Sequence, residues 1–106
     1  MNKDKLVRDL IPSIIEDGGN TCTFRIAKDI SEHTDYLRLK IIEETEEFIQ
    51  NPSYEEAADI LEVVKSFCYL NNLEFDRVKD MAERKKKERG GFSRGTILQY
   101  VNYKMN

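Results

Sequence analysis

Helical periodicity over the middle of the chain constrains its fold more than any other feature. Apolar residues recur every three or four positions in segments 31–50 and 53–70, and in a third segment that follows Asn71-Asn72 and ends at Gly90-Gly91. Asn51-Pro52 ends the first segment, and so short a connection favours an antiparallel hairpin with the second. The sequence therefore predicts an all-α fold, an antiparallel helical bundle.

The ends of the chain carry weaker patterns. Pro12 suits the first turn of a short helix in IPSIIED, which Gly18-Gly19-Asn20 ends. Thr21 to Lys28 and Thr96 to Tyr103 are rich in β-branched and aromatic residues, as strands are. We predict that these two segments pair as a small β ribbon beside the helices, an arrangement that the sequence permits without requiring.

Chain length, net charge and the content of apolar and cysteine residues narrow the class of protein. A chain of 106 residues fits one domain over 1–106, with a core thin enough that association of identical subunits is a natural way to bury more apolar surface. A net charge of −3 argues against a broad surface for a nucleic acid polymer. No apolar run reaches the roughly 18 residues of a membrane span, so we expect a cytoplasmic protein without a membrane partner. Cys22 and Cys68 are expected to be reduced packing residues.

Glu44 interrupts the apolar stripe of the first long helix. At about 100° per residue, Leu37, Ile41 and Phe48 fall within about 40° of one another, and Glu44 lies in the same sector. Glu47 lies about 60° further round and one turn along. Two carboxylates are therefore neighbours at the edge of the face that should be buried, where they repel each other.

The second helix repeats this arrangement. Glu56 lies in the sector of its apolar stripe, and Asp59 flanks it at the same i, i+3 spacing. If the two stripes face each other, four acids converge in a partly dry space, and each unpaired charge costs several kcal/mol. Oxygen ligands of this kind suit Mg²⁺, which also accepts the oxygens of substrate phosphates. The pattern predicts a magnesium site for phosphate chemistry.

Simpler explanations remain open for these acids. Glutamate is frequent in this chain, so the EExxE spacing is also typical of a solvated helix face, which is how we interpret Glu46 and Glu62. Ser53-Tyr54-Glu55-Glu56 matches a capping box, in which the glutamate binds the first amide of its own helix. Neither explanation accounts for Glu44 within an apolar stripe.

Basic residues gather near both ends of the chain. The last turn of the third helix carries Arg84, Lys85, Lys86, Lys87 and Arg89. Cations there offset the negative end of the helix dipole, but Lys85 and Arg89 are also candidates to bind phosphate. Lys5 and Arg8 form either an ordinary surface patch or a second part of that site. His33, the only histidine, is expected near the surface or the helix cap.

Four segments, KLVRDLIPSIIE, IIEETEEF, EEAADILEVV and KKKERGGFSRG, together resemble the MazG-like nucleotide pyrophosphohydrolases, including the group similar to phosphoribosyl-ATP pyrophosphohydrolase. EExxE followed by ExxD is the acidic signature of that family. The resemblance implies the all-α nucleoside triphosphate pyrophosphatase fold and subunits that associate as dimers or tetramers. It also implies Mg²⁺, with Mn²⁺ as a substitute, on Glu44, Glu47, Glu56 and Asp59. Lys5, Arg8 and Arg89 become candidates for phosphate or base contacts.

The leading hypothesis is hydrolysis of nucleoside triphosphates to the monophosphate and pyrophosphate, for the removal of unwanted nucleotides. Its catalytic residues would be Glu44 and Glu47, with Glu43 as an outer ligand or base because it immediately precedes the pair. Two alternatives remain. The same site would suit phosphoribosyl-ATP, and a helical module that binds a metal-nucleotide without cleaving it needs the same residues.

Overall fold

A computed structural model describes residues 4–105, and these contain four α-helices. They are α1 (Ile11–Asp17), α2 (Ile30–Gln50), α3 (Tyr54–Leu70) and α4 (Phe75–Arg89). The predicted all-α class is confirmed, and both long helices of the hairpin begin within one residue of the predicted start. Apolar periodicity and helix-end signals depend on neighbouring residues, which is why they predicted the starts of these helices accurately.

The predicted β ribbon is wrong. Neither 21–28 nor 96–103 forms a strand in the part of the chain that the structure describes. The preference of β-branched and aromatic residues for strands expresses how they pack in a sheet, and a two-stranded ribbon by itself is only marginally stable. The composition of the two segments was therefore not sufficient to produce pairing.

The contact between α2 and α3 organises the first part of the chain. Leu37 on α2 and Cys68 on α3 are the buried apolar residues among 4–105, and Leu37 is only 2% exposed. The remaining stripe residues, such as Ile41, Phe48 and Val63, are half-buried. Cys22 and Cys68 are free thiols, as expected. The core is thin, so one polar side chain placed within it has a large effect.

The described chain divides into two compact units, the first ending at Phe75 and the second beginning at Asp76. On α4, Phe75 and Val78 are half-buried, whereas Met81 and Ala82 are exposed. The rest of the second unit, 90–105, has no helix or strand to cover them. The single domain over 1–106 stays a prediction. No helix of residues 4–105 has both the length and the apolar character of a membrane span.

The start of α2 is fixed by a small polar network. Asp29 caps the helix by accepting a hydrogen bond of 2.8 Å from the Glu32 amide. The Glu32 carboxylate accepts 2.7 and 3.1 Å bonds from Arg25 and a 2.9 Å bond from the Lys28 amide. These bonds, first that from Arg25, lower the pKa of Glu32 from 4.5 to about 2. The network ties the chain before α2 to its first turn.

Replacing Glu32 by glutamine should therefore reduce stability in a pH-dependent way. Because the folded state lowers the pKa of Glu32, its contribution is complete above about pH 4.5 and is lost as the pH falls towards 2. We expect the Tm of the unmodified protein to exceed that of Glu32→Gln at pH 7, and the two values to converge near pH 2. Thermal unfolding followed by circular dichroism measures this, with Glu46→Gln as the control. A Tm gap of constant size down to pH 2 would contradict the assignment.

Candidate metal centre

Glu56 and Asp59 reach the centre because of how α3 begins. Ser53 caps the helix, and its hydroxyl accepts a 3.2 Å hydrogen bond from the Glu56 amide. This is half of the predicted capping box. The reciprocal bond, from the Ser53 amide to the Glu56 carboxylate, does not form, and Glu56 Oε2 is buried without a hydrogen-bond partner. The cap therefore fixes the helix start and leaves the carboxylate available for another partner.

Glu44 is the buried charged residue of α2. Its exposure is 6%, close to that of the core residues, and its Oε2 atom has no hydrogen-bond partner. Burial raises the pKa of the Glu44 carboxyl; contact with Lys40 opposes the increase, and the charges of Glu47 and Asp59 add to it. The predicted position of Glu44 inside the apolar stripe is confirmed, and a simple solvated face does not explain it.

Two groups of three carboxylates share Glu44. In one, oxygens of Glu43, Glu44 and Glu47 lie within 4.8 Å of one another, and in the other the same holds for Glu44, Glu56 and Asp59. The second group joins α2 to α3, as the facing stripes predicted. Glu47 is exposed and clusters with its own helix rather than with Glu56 and Asp59. Oxygens this close, from acids alone, form a set that could hold a divalent cation.

Two cations of the chain contact these acids. Lys40 Nζ lies 3.2 Å from Glu43 Oε2 and 3.3 Å from Glu44 Oε1, with its side chain 17% exposed. Arg8 donates a 2.7 Å hydrogen bond to Asp59 Oδ1. Burial lowers the pKa of Lys40, but its two carboxylate partners outweigh burial and raise it. Part of the charge that we assigned to a metal is therefore balanced by the protein itself.

Lys40 was missed in the sequence, although it precedes Glu44 by four residues and Glu43 by three, the spacings at which helical side chains meet. Glu43 is half-buried and accepts a 3.2 Å hydrogen bond from the same lysine. Arg8 could not be paired with a residue 51 positions away by any local rule. The structure thus assigns both residues to the carboxylate cluster.

The other candidate residues lie apart from these contacts or in the other unit. Lys5 is exposed in the first unit, and Lys85 and Arg89 are exposed on α4 in the second unit. Their role in phosphate binding stays a prediction. Glu46 and Glu62 are exposed, as expected for solvated residues, although Glu62 also lines a groove beside the acids.

Comparisons of the chain with models of protein families, with curated proteins and with solved structures found no match. Any inference about function therefore rests on the residues and geometry of the carboxylate cluster.

Magnesium should stabilise the protein through Glu44. A ligand that binds only the folded state adds about 2.7 kcal/mol to the free energy of unfolding at 100 times its Kd. We expect the Tm to rise as Mg²⁺ is titrated into metal-free protein, and Glu44→Gln to remove the rise. Glu46→Gln, the same change at an exposed position of the same helix, should leave it intact. An equal rise in all three proteins would place the ion elsewhere.

Lys40 should compete with the cation for the same oxygens. We expect Lys40→Met to lower the free energy of unfolding in EDTA by about 1 to 3 kcal/mol, because it leaves the buried Glu44 and the half-buried Glu43 without their partner. The same change should strengthen Mg²⁺ binding in calorimetry. Arg38→Met removes an exposed ion pair of the same helix and should change neither quantity appreciably. Weaker Mg²⁺ binding by Lys40→Met would show that the lysine supports the cation instead.

Proposed function

We propose that this protein hydrolyses nucleoside triphosphates to the monophosphate and pyrophosphate with Mg²⁺ at the α2–α3 carboxylates. The observation that carries the proposal is the burial of Glu44 with an oxygen that no group of the protein binds. A carboxylate in such a position is costly, and a cation is the ligand that offsets the cost. The resemblance of the acidic segments to MazG-like enzymes supplies the reaction class.

The residues present fit a hard divalent cation. Every candidate ligand is a carboxylate oxygen, and two of those oxygens, on Glu44 and Glu56, are buried without a partner. Five carboxylates, Glu43, Glu44, Glu47, Glu56 and Asp59, are met by two cations, Lys40 and Arg8, which leaves a local excess of negative charge when all are ionised. Bound Mg²⁺ would neutralise charge on the phosphates and acidify a water molecule.

The protein's own groups have separable parts in this scheme. Glu44, Glu56 and Asp59 span the two helices and would hold the ion, because they are the group that joins α2 to α3. Glu47 is exposed beside Glu44 and would accept a proton from the attacking water. Arg8 and Lys40 would bind substrate phosphate oxygens once the cation shares the charge of their present partners.

Association of identical subunits, as a dimer or tetramer, belongs to the same proposal. Leu39, Ile42 and Ile49 on α2 are 63%, 56% and 71% exposed. Burying them against a second copy would add apolar contact to a thin core. The proposal also includes three expectations from the sequence. These are a role in removing unwanted nucleotides, a cytoplasmic location, and phosphoribosyl-ATP as the alternative substrate.

The reaction is tested by pyrophosphate release from ordinary triphosphates, modified triphosphates and phosphoribosyl-ATP in the presence of Mg²⁺. We expect turnover of at least one class, loss of kcat by about 100-fold or more in Glu44→Gln, and a marked loss in Asp59→Asn. Glu46→Gln should retain normal kcat and KM, because that carboxylate is exposed and outside both carboxylate groups.

Three outcomes separate the candidates. Turnover of phosphoribosyl-ATP alone would select that reaction, and tight binding of Mg²⁺-nucleotide without turnover of any compound would select the binding module. Full activity of Glu44→Gln, with its helices intact by circular dichroism, would exclude the carboxylate mechanism.

A further inference from the structure

Residues 4–17, which include α1, form an arm beside the α2–α3 hairpin in the first unit. No residue of α1 is buried. A groove of about 430 Å³ remains between the arm and the hairpin, and residues of both line it. Well-packed protein interiors leave few voids larger than a water molecule. Because the facing side chains do not interlock across the groove, apolar packing holds the arm only weakly.

A hydrogen bond between charged groups fastens the arm to the carboxylates of the hairpin. Arg8 donates it to Asp59, a residue 51 positions away, over 2.7 Å. This bond is the largest cause of the raised pKa of Arg8, and the charges of Glu62 and Glu44 contribute to the increase. The guanidinium of the arm therefore lies in the negative field of several acids of the hairpin.

The charge of the arm itself gives this contact its importance. Residues 4–17 carry two cations and four acids, a net charge of −2; the acids are Asp4, Asp9, Glu16 and Asp17. An acidic arm is repelled by an acidic cluster unless a cation joins the two. Arg8 supplies that cation. The attachment of the arm consequently depends on whether Arg8 keeps its partner.

Asp59 is the point at which this attachment meets the candidate metal centre. Its carboxylate also belongs, with Glu44 and Glu56, to the group of oxygens that could hold a divalent cation. A cation on that group would share the charge of Asp59 and would repel the guanidinium. The pair of Arg8 and Asp59 is accessible to solvent and therefore weak. The competition for Asp59 thus favours the cation over the arm.

We propose that the arm is a strap, which a divalent cation on the α2–α3 carboxylates releases and which a phosphate group bound beside that cation fastens again through Arg8. The inference rests on the proposed function, because it uses the same cation site and the same role of Arg8. It adds an order of events to that function. The cation opens the groove, and the anion then draws the arm back over it.

Hydrogen exchange of the arm amides, followed by mass spectrometry, measures this attachment. A helix of seven residues is not stable by itself in water, so a loosened arm should make α1 open more often without unfolding it outright. Residues 4–17 are compared with α2 and α3 in EDTA, in saturating Mg²⁺, and in Mg²⁺ with inorganic pyrophosphate, at constant ionic strength. We expect Mg²⁺ to accelerate exchange in the arm by about 3- to 5-fold and to slow it in the hairpin. Pyrophosphate should reverse the acceleration.

Arg8→Met tests the fastening group. It removes the guanidinium and keeps an apolar stem, so the arm should exchange fast in all three conditions and respond neither to Mg²⁺ nor to pyrophosphate. Lys5→Met is the matched control, because Lys5 is an exposed cation of the same arm outside the groove lining. Its response to Mg²⁺ should equal that of the unmodified protein. Circular dichroism checks that both variants keep their helices.

The results separate this inference from the reaction. Unchanged or slower arm exchange in Mg²⁺, in a protein whose Tm the ion raises, would overturn the strap and leave hydrolysis intact. Equal acceleration of arm and hairpin, or a Mg²⁺ response retained in Arg8→Met, would overturn it as well. A protein whose Tm does not respond to Mg²⁺ would lose both the strap and the proposed reaction. Release by Mg²⁺ and refastening by pyrophosphate, without cleavage of any nucleotide, would sustain the strap and remove the reaction.

Discussion

The burial of one carboxylate in the contact between α2 and α3 is the constraint on which the electrostatics of this hairpin depends. Glu44 occupies a stripe position beside Leu37, and one of its oxygens is left without a partner. A leucine there would add apolar contact and remove the desolvation cost, so stability alone does not account for a glutamate. The thin core makes that cost a large fraction of what this hairpin gains by packing.

Three partners compete for the charge of this carboxylate: a lysine, a proton and a cation. Lys40 contacts one oxygen, and burial raises the pKa of the acid so that protonation becomes easier. Lys40 does not bond the second oxygen of Glu44, nor the partnerless oxygen of Glu56. The lysine offsets part of the negative charge of this hairpin, and the carboxylate oxygens that it does not bond are the ones that could hold a divalent ion.

The hairpin and the central acid were predictable from the sequence because each depends on residues within one or two helical turns. Periodicity placed α2 and α3, and the angular position of Glu44 followed from the same pattern. The β ribbon failed because strand pairing requires a distant partner that composition does not specify. Lys40 did carry a local signal, because it lies four residues before Glu44 on the same helix. The prediction missed it because only the acids were considered. The Arg8–Asp59 pair and the groove depend on how segments fold back, which no local rule encodes.

The Arg8–Asp59 pair connects the groove to the carboxylates at little energetic cost. Its side chains are 56% and 37% exposed, and ion pairs this accessible contribute about 0 to 1 kcal/mol to stability. Arg8 can therefore leave Asp59 without unfolding the segment that carries it. A cation on Asp59 would take over part of the carboxylate's charge and free the guanidinium for a phosphate oxygen, which binds arginine in two-point geometry. Both residues also line the groove beside the carboxylates, so this weak and easily exchanged contact lies where a ligand of the groove would meet the acids.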